Sequence, residues 1–232
     1  MGWKLSHAGA IWRARAIWVA AVCVVLLASL LAWLAYGSGA FAVTTVDIRG
    51  ETFTKEASIK KAAAVETGTS LMSIDADDIA ARVAQVRTVS EVSVSRNWPH
   101  TVVIKITERT PRLAVPDGDK FVLVDKSGVA FRTVSKVPPD VVEAKLKKPG
   151  VKDPATAAVL TVLSALTPDL QQQLDSVEGE AATRITLVLK DSRTVFWGDG
   201  TESDRKAEVA TALLARSGEH FDVSAPDVPT VS

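Results

Sequence analysis

The longest uninterrupted apolar stretch of the chain covers residues 16–36, which are 21 residues without a charge, a proline or a glycine. A helix of this length rises about 31 Å, which matches the hydrocarbon thickness of a lipid bilayer. Ten of its side chains are Leu, Ile or Val, and each of them favours insertion. The stretch therefore predicts one transmembrane helix that anchors the chain in the bilayer.

Basic residues flank this stretch on one side only. Lys4, Arg13 and Arg15 precede it, whereas the first charge after it is Asp47. Because basic flanks stay in the cytoplasm, we expect residues 1–15 to be cytoplasmic and the rest of the chain beyond the helix to be extracytoplasmic. The Ala-Phe-Ala sequence at 40–42 resembles a signal-peptidase site, but the apolar stretch is longer than the roughly 7–15 residues of a signal peptide. We therefore expect an uncleaved anchor, with cleavage as the alternative.

The next part of the chain changes from period-two alternation to helical spacing and back. The predicted elements are a strand at 43–49, a helix at 54–65, a helix after the N-cap residue Asp75, and strands at 89–94 and 102–106. This order predicts a small α+β module, with two helices on one face of a three-stranded sheet. An exposed edge of such a sheet can accept a strand from another chain.

Beyond residue 111 the pattern predicts a second, larger module. The predicted elements are a hairpin at 120–124 and 129–132, helices at 153–166, 167–174 and 202–216, strands at 176–178, 185–189 and 194–197, and a final short strand at Phe221 and Val223. The segment 134–151 is rich in Lys and Pro, and we expect it to be a loop or an irregular strand. Nothing after the final strand is expected to cover its edge.

Four motifs in this order resemble the FtsQ/DivIB family of cell division proteins. They are Val46-Asp47-Ile48-Arg49-Gly50, Arg96-Asn97-Trp98-Pro99, Glu108-Arg109-Thr110-Pro111 and the stretch 121–131. The resemblance implies an α+β chain with a single transmembrane helix at 16–36, a POTRA domain (β-α-α-β-β) at 43–111 and a larger β domain with helices on one side at 112–225. We expect residues 226–232 to form a disordered tail.

The resemblance also implies a binding site, because the last strand of the family's β domain receives a strand of a partner. Carried over to this chain, the partner-binding residues are Glu219, His220, Phe221, Asp222, Val223 and Ser224. The implied partners are FtsB/DivIC-like and FtsL-like division proteins and, through them, the septal peptidoglycan synthase. On this interpretation, a charge or a proline at Phe221 or Val223 abolishes partner binding while the extracytoplasmic part still folds.

Composition and motifs argue against several other functions. Residues after 43 carry 24 basic and 27 acidic side chains, so this part does not have the basic character of a nucleic-acid binder. The single cysteine, Cys23, allows no intramolecular disulfide. The histidines, His7, His100 and His220, are scattered, and no catalytic, metal-ligand or phosphate-loop pattern is present. We therefore expect no enzymatic activity, no metal, no cofactor and no small-molecule substrate.

The function predicted from these features is that of a non-enzymatic membrane scaffold of the bacterial divisome, concentrated at the septum. It links and positions partner division proteins for septal peptidoglycan synthesis by strand pairing at exposed sheet edges. The alternative is a membrane-anchored cell-envelope enzyme or a POTRA-type transport or assembly component. An enzyme needs a catalytic constellation that the sequence does not offer, and a transporter needs a membrane-spanning β-barrel after its POTRA units.

Overall fold

The computed structural model describes residues 7–37 and 39–232, and it describes the backbone alone for residues 7–14 and 35. The chain divides into two units, Met1–Glu108 and Arg109–Ser232. The helices are α1 (His7–Tyr36), α2 (Glu56–Ala63), α3 (Ala76–Val83), α4 (Pro154–Ala165), α5 (Pro168–Gln173) and α6 (Ser203–Leu213), with a 3-10 turn at Leu71–Ser73. The strands are β1 (Thr45–Arg49), β2 (Val89–Asn97), β3 (Thr101–Glu108), β4 (Pro111–Asp117), β5 (Lys120–Asp125), β6 (Ala130–Val134), β7 (Val142–Leu146), β8 (Leu174–Ala181), β9 (Arg184–Leu189), β10 (Thr194–Gly198), β11 (His220–Asp222) and β12 (Thr230–Val231).

Helix α1 contains the predicted transmembrane stretch and begins nine residues before it, at His7. Its segment Arg15–Leu34 is long and apolar enough to cross a membrane, and none of that segment is buried against the protein. An apolar helix without protein packing requires another apolar environment, which the bilayer core provides. Residues 1–6 of the expected cytoplasmic segment lie outside the described residues.

The first unit confirms the predicted order of strand, helix, helix, strand, strand. Its sheet has the order β1-β3-β2, with β1 parallel and β2 antiparallel to β3. Helix α2 contacts β1 and α3, and α3 contacts β2. Buried side chains from both layers, among them Ile59, Val83 and Ile104, form one core. Asp75 caps α3, because its Oδ1 accepts hydrogen bonds from the backbone N–H groups of Asp77 at 3.0 Å and Asp78 at 3.1 Å.

Gly50, which ends the first motif, is required by the backbone at the end of β1. Its φ is +92°, and a Cβ at this position would lie 2.1 Å from the carbonyl oxygen of Ile106. No other residue type fits without moving the backbone of β3. The glycine therefore allows the chain to leave β1 directly beside the neighbouring strand.

The second unit is organised on one nine-stranded sheet with the order β12-β11-β10-β9-β8-β7-β4-β5-β6. Helix α4 contacts β8 and α6, and α5 contacts α6. The core between sheet and helices contains fully buried side chains such as Trp197, Leu187 and Leu170. The predicted α+β fold, with a larger β domain carrying helices, is therefore confirmed.

The sequence did not predict β4, and it left the segment of β7 open between a loop and an irregular strand. Strand β7 lies in the segment 134–151, which we expected to be a loop or an irregular strand, and it pairs in parallel with both β4 and β8. Strand β4 precedes the predicted hairpin in the sequence and pairs antiparallel with its first strand, β5. Prolines lie before and after β7, and proline-rich segments are typical of loops. The last three residues of β7 nevertheless alternate between buried and exposed positions, as in a strand.

Two of the sequence motifs meet at the start of the second unit. The side chain of Arg109 lies 2.5 Å from Asp125 Oδ2, and both side chains are largely buried. The other carboxylate oxygen of Asp125 accepts hydrogen bonds from the backbone N–H groups of Ser127 and Val129, at 2.9 and 2.8 Å. The Asp125 carboxylate thus connects Arg109, the first residue of this unit, to the turn between β5 and β6.

Candidate partner-binding edge

The predicted partner-binding segment forms β11, near one end of the nine-stranded sheet. Strand β11 runs parallel to β10, with Phe221 opposite Val195. The N–H of Thr194 donates to the carbonyl of Glu219 at 2.9 Å, and the N–H of Val223 donates to the carbonyl of Phe196 at 3.0 Å. The predicted short strand after the helix α6 is therefore present.

The other edge of β11 is covered by the chain itself, contrary to the sequence-based expectation. Strand β12 pairs antiparallel with β11, with Val231 opposite Phe221. The backbone groups of His220 and Ser232 exchange two hydrogen bonds of 3.0 Å. Upstream of β12, Asp227 forms an ion pair with Arg205 of α6. The segment 226–232, expected to be a disordered tail, contains the last strand of the sheet because these contacts turn it back along β11.

The six predicted site residues divide into two groups by burial. Phe221 and Val223 are buried in the core, with 1% and 0% of their surfaces exposed. Glu219, His220 and Ser224 are exposed, and Asp222 is half-buried. Because a charge or a proline at a buried position disrupts packing, the burial of Phe221 and Val223 argues against the expectation that such changes spare the fold.

Arg193 holds the segment against the rest of the unit. Its guanidinium lies 5.7 Å from the centroid of the Phe221 ring, which is within cation–π range. It also donates to the carbonyl oxygen of Leu214 at 2.9 Å and to Asp191 Oδ2 at 2.7 Å. Sequence analysis did not identify this residue, because Leu214 and Phe221 are distant from it in the sequence. Arg193 therefore stabilises the segment that connects α6 to β11.

The last strand presents an unused backbone edge. In an antiparallel pair, hydrogen-bonded residue pairs alternate with pairs that do not bond. His220 and Ser232 bond to each other, so the next pair, Phe221 and Val231, does not. The N–H and C=O of Val231 therefore point away from β11, to the side where no further strand of the described chain lies. Pro229, two residues earlier, has no N–H to offer on that side.

A buried lysine fixes the turn between β10 and α6. Lys206 is 1% exposed, and its Nζ donates to the Asp199 carbonyl at 3.1 Å and to Asp199 Oδ1 at 3.0 Å. Hydrogen bonds from the Thr201 side chain first and from Lys206 second lower the pKa of Asp199 to about 2. The carboxylate is therefore ionised at neutral pH and balances the buried ammonium. The buried Trp197 donates its Nε1–H to Ser203 Oγ at 3.2 Å and closes the same turn.

The candidate site is the backbone edge at the β12 end of the nine-stranded sheet. Thr194 Oγ1 and His220 Nδ1 lie 2.7 Å apart, which joins β10 and β11 on the exposed face. No cluster of three or more His, Cys, Asp or Glu side chains suited to a metal ion occurs in the described part of the chain. What this edge can do chemically is pair its backbone with another extended segment and select that segment by the side chains around it.

Two family models match the chain in succession. The model of the FtsQ-type POTRA domain matches residues 41–109, and the model of the C-terminal region of FtsQ/DivIB cell division proteins matches residues 114–227. Together they cover both folded units.

Whole proteins similar to this chain are also cell division proteins of the FtsQ type. The chain is 37% identical to the cell division protein FtsQ of Mycolicibacterium smegmatis over 93% of its own length and 64% of that protein. It is 35% identical to the cell division protein FtsQ of Streptomyces coelicolor over 95% of its own length and 89% of that protein. The chain thus spans slightly less than two thirds of the first relative and most of the second.

A solved structure also shows similarity over part of the chain. It is the major extracytoplasmic domain of the trans isomer of the cell division protein DivIB from Geobacillus stearothermophilus. The match has a TM-score of 0.37 at 16% identity and covers 47% of this chain and 93% of that chain. The family assignment rests on the sequence matches instead.

Proposed function

Because this chain belongs to the FtsQ/DivIB family of cell division proteins, we propose that it is a non-enzymatic, single-pass membrane scaffold of the division machinery. Its N-terminus is cytoplasmic, its two folded units are extracytoplasmic, and it is concentrated at the septum. There it links and positions FtsB/DivIC-like and FtsL-like proteins for septal peptidoglycan synthesis. The observation that carries this proposal is the unpaired backbone edge of β12 at the end of the nine-stranded sheet.

The partner supplies an extended segment that pairs with the outer edge of β12. This position differs from the one suggested by sequence, because both edges of β11 are already paired within the chain. The outward N–H and C=O of Val231 make the central pair of hydrogen bonds. Glu219 and His220, exposed residues of the predicted segment whose backbone N–H groups bond to Ser232, lie next to β12 and contribute selectivity.

The membrane anchor explains how such a short edge suffices. Strand β12 has two residues, so its backbone pairing alone is weak. Helix α1 confines the chain to the membrane, and a partner anchored in the same membrane is present at a high effective concentration. Modest pairing at β12 therefore supports an assembly that is lost when either anchor is removed.

Site-specific photo-crosslinking in living cells tests this proposal. A photoreactive amino acid is placed at Thr230 or at Ser232, which are exposed on β12 and directly after it. The control is Thr133, which is exposed on β6 at the opposite edge of the same sheet. We expect adducts that mass spectrometry identifies as FtsB/DivIC-like or FtsL-like chains from Thr230 and Ser232 and none from Thr133. Adducts from Thr133 alone, or none from β12 in dividing cells, would contradict the proposal.

A further inference from the structure

We propose that the first folded unit docks on the lipid headgroup layer through an apolar surface formed by Phe41, Met72 and Trp98, called here the membrane-proximal patch. This contact is separate from the protein-binding edge of β12 and does not depend on which proteins bind there. It requires only that α1 spans the membrane. The partner of the patch is the lipid surface into which the same chain is inserted.

The patch carries the exposed large apolar side chains of this unit. Among described residues 39–108, the large hydrophobic side chains that stand exposed are Met72, at 41%, and Trp98, at 50%. Phe41 between them is half-buried. An isolated exposed apolar side chain is ordinary, but two in segments that both contact Phe41 indicate a shared contact surface.

A ring contact joins Phe41 to Trp98, and a backbone hydrogen bond holds the residue before Met72 beside Phe41. The rings of Phe41 and Trp98 are 5.3 Å apart and perpendicular. The N–H of Leu71, directly before Met72, donates to the carbonyl of Phe41 at 2.7 Å. His100 Nδ1 lies 3.0 Å from the carbonyl oxygen of Ala42 on the other side. The segment at 41–42 therefore lies between the 3-10 turn and the turn that joins β2 to β3.

The patch lies where the chain leaves the membrane-spanning helix. Helix α1 ends at Tyr36, so Phe41 is five residues away and at most about 18 Å even with the chain fully extended. A turn shortens this path, since the N–H of Ala42 donates to the carbonyl of Gly39 at 3.0 Å. Helix α1 also contacts the 3-10 turn at Leu71–Ser73. With a headgroup layer of about 5–7 Å on each side of the hydrocarbon core, the patch is within reach of lipid.

The chemistry of the patch suits this layer better than water or the bilayer core. Tryptophan favours the membrane interface because its ring is apolar and its indole N–H still needs a hydrogen-bond acceptor, which lipid carbonyl and phosphate oxygens provide. Methionine is flexible and polarisable and adapts to an irregular apolar surface. The half-exposed Trp98 and the exposed Met72 therefore gain by entering the interface, and this contact holds the first unit at a fixed height above the membrane.

The depth of spin labels in proteoliposomes tests the proposal on the full chain. A Cys23→Ala background removes the native thiol, and single labels are then placed by Met72→Cys or Glu91→Cys. Glu91 is the matched control, because it is exposed on β2 six residues from Asn97, which corresponds to about 20 Å along the strand. Power saturation compares collisions with oxygen, which concentrates in lipid, and with a water-soluble nickel chelate.

We expect the label at Met72 to collide preferentially with oxygen and the label at Glu91 preferentially with nickel. If the label at Met72 is as accessible to nickel as the label at Glu91, the proposal is wrong. A second comparison uses Trp98→Gln and Trp98→Phe in the Met72-labelled protein, with the thermal unfolding of each variant measured in parallel. For variants that remain folded, Gln should shift the label towards water and Phe should not, whereas equal depths in both would remove Trp98 from the contact.

Discussion

Replacing Phe221 with Ala should strongly destabilise the second unit rather than only weaken binding. The ring is 1% exposed, and its face lies 5.7 Å from the Arg193 guanidinium. Removing a buried Phe ring costs about 3–5 kcal/mol through lost burial and the cavity left behind, and losing the cation–π contact adds about 0.5–1 kcal/mol. We therefore expect a loss of about 4 kcal/mol, which is a large part of the 5–15 kcal/mol typical of a domain.

Pulse proteolysis in increasing urea measures this loss on the full chain in detergent micelles. The matched control is Glu219→Ala, which changes an exposed residue of the same segment and should alter the free energy of unfolding by less than about 0.5 kcal/mol. A Phe221→Ala protein that resists urea as well as the Glu219→Ala protein would refute the burial of Phe221. It would also restore the sequence-based expectation that this side chain is free to contact a partner.

Two further predictions concern the turns of each unit. Gly50→Ala should lower the free energy of unfolding by at least about 2 kcal/mol, because φ is +92° and the new Cβ meets the Ile106 carbonyl. The control Gly68→Ala, with the same φ and nothing within 4 Å, should lower it by only about 1 kcal/mol. Equal unfolding curves for the two variants would refute this reasoning. The pKa of Asp199 is lowered to about 2 from 3.8, so its hydrogen bonds with Thr201 and Lys206 stabilise the protein above about pH 4, and this stabilisation is lost as the pH falls towards 2. Since Asp199 is 41% exposed, we expect a contribution of about 1 kcal/mol. Asp199→Asn should flatten this pH dependence of unfolding, and an unchanged profile would contradict it.

Local sequence patterns were sufficient for the elements whose residues interact with near neighbours. The 16–36 stretch needs only its length and composition to be recognised as a spanning helix. Asp75 was recognised as a cap because its partners are two and three residues away. The period-two segments of the first unit were recognised because one face of each strand is buried and the other is not.

Elements that depend on distant partners were missed. Strand β7 is paired on both sides with strands from other parts of the chain, and this neighbourhood makes five residues between proline-rich loops into a strand. Strand β12 is too short to show a period, and its place is set by β11. The link from Arg193 to Phe221 joins residues 28 positions apart, and no local pattern encodes it. The burial of Phe221 was missed for the same reason. A short apolar/polar alternation does not show which distant residues pack against the side chain.

The central claim, that the outer edge of β12 receives a partner strand, is tested most directly by comparing Val231→Pro with Val231→Thr. The N–H of Val231 points away from β11, so proline removes the outward donor while residues 230 and 232 keep their bonds to β11. Affinity for an FtsB/DivIC-like partner is measured with both proteins reconstituted in bilayers. We predict that Val231→Thr binds within about twofold of the unmodified chain and that Val231→Pro binds at least about tenfold more weakly, the equivalent of about 1.4 kcal/mol. Equal affinities for the two variants, with the fold intact in both, would contradict the claim.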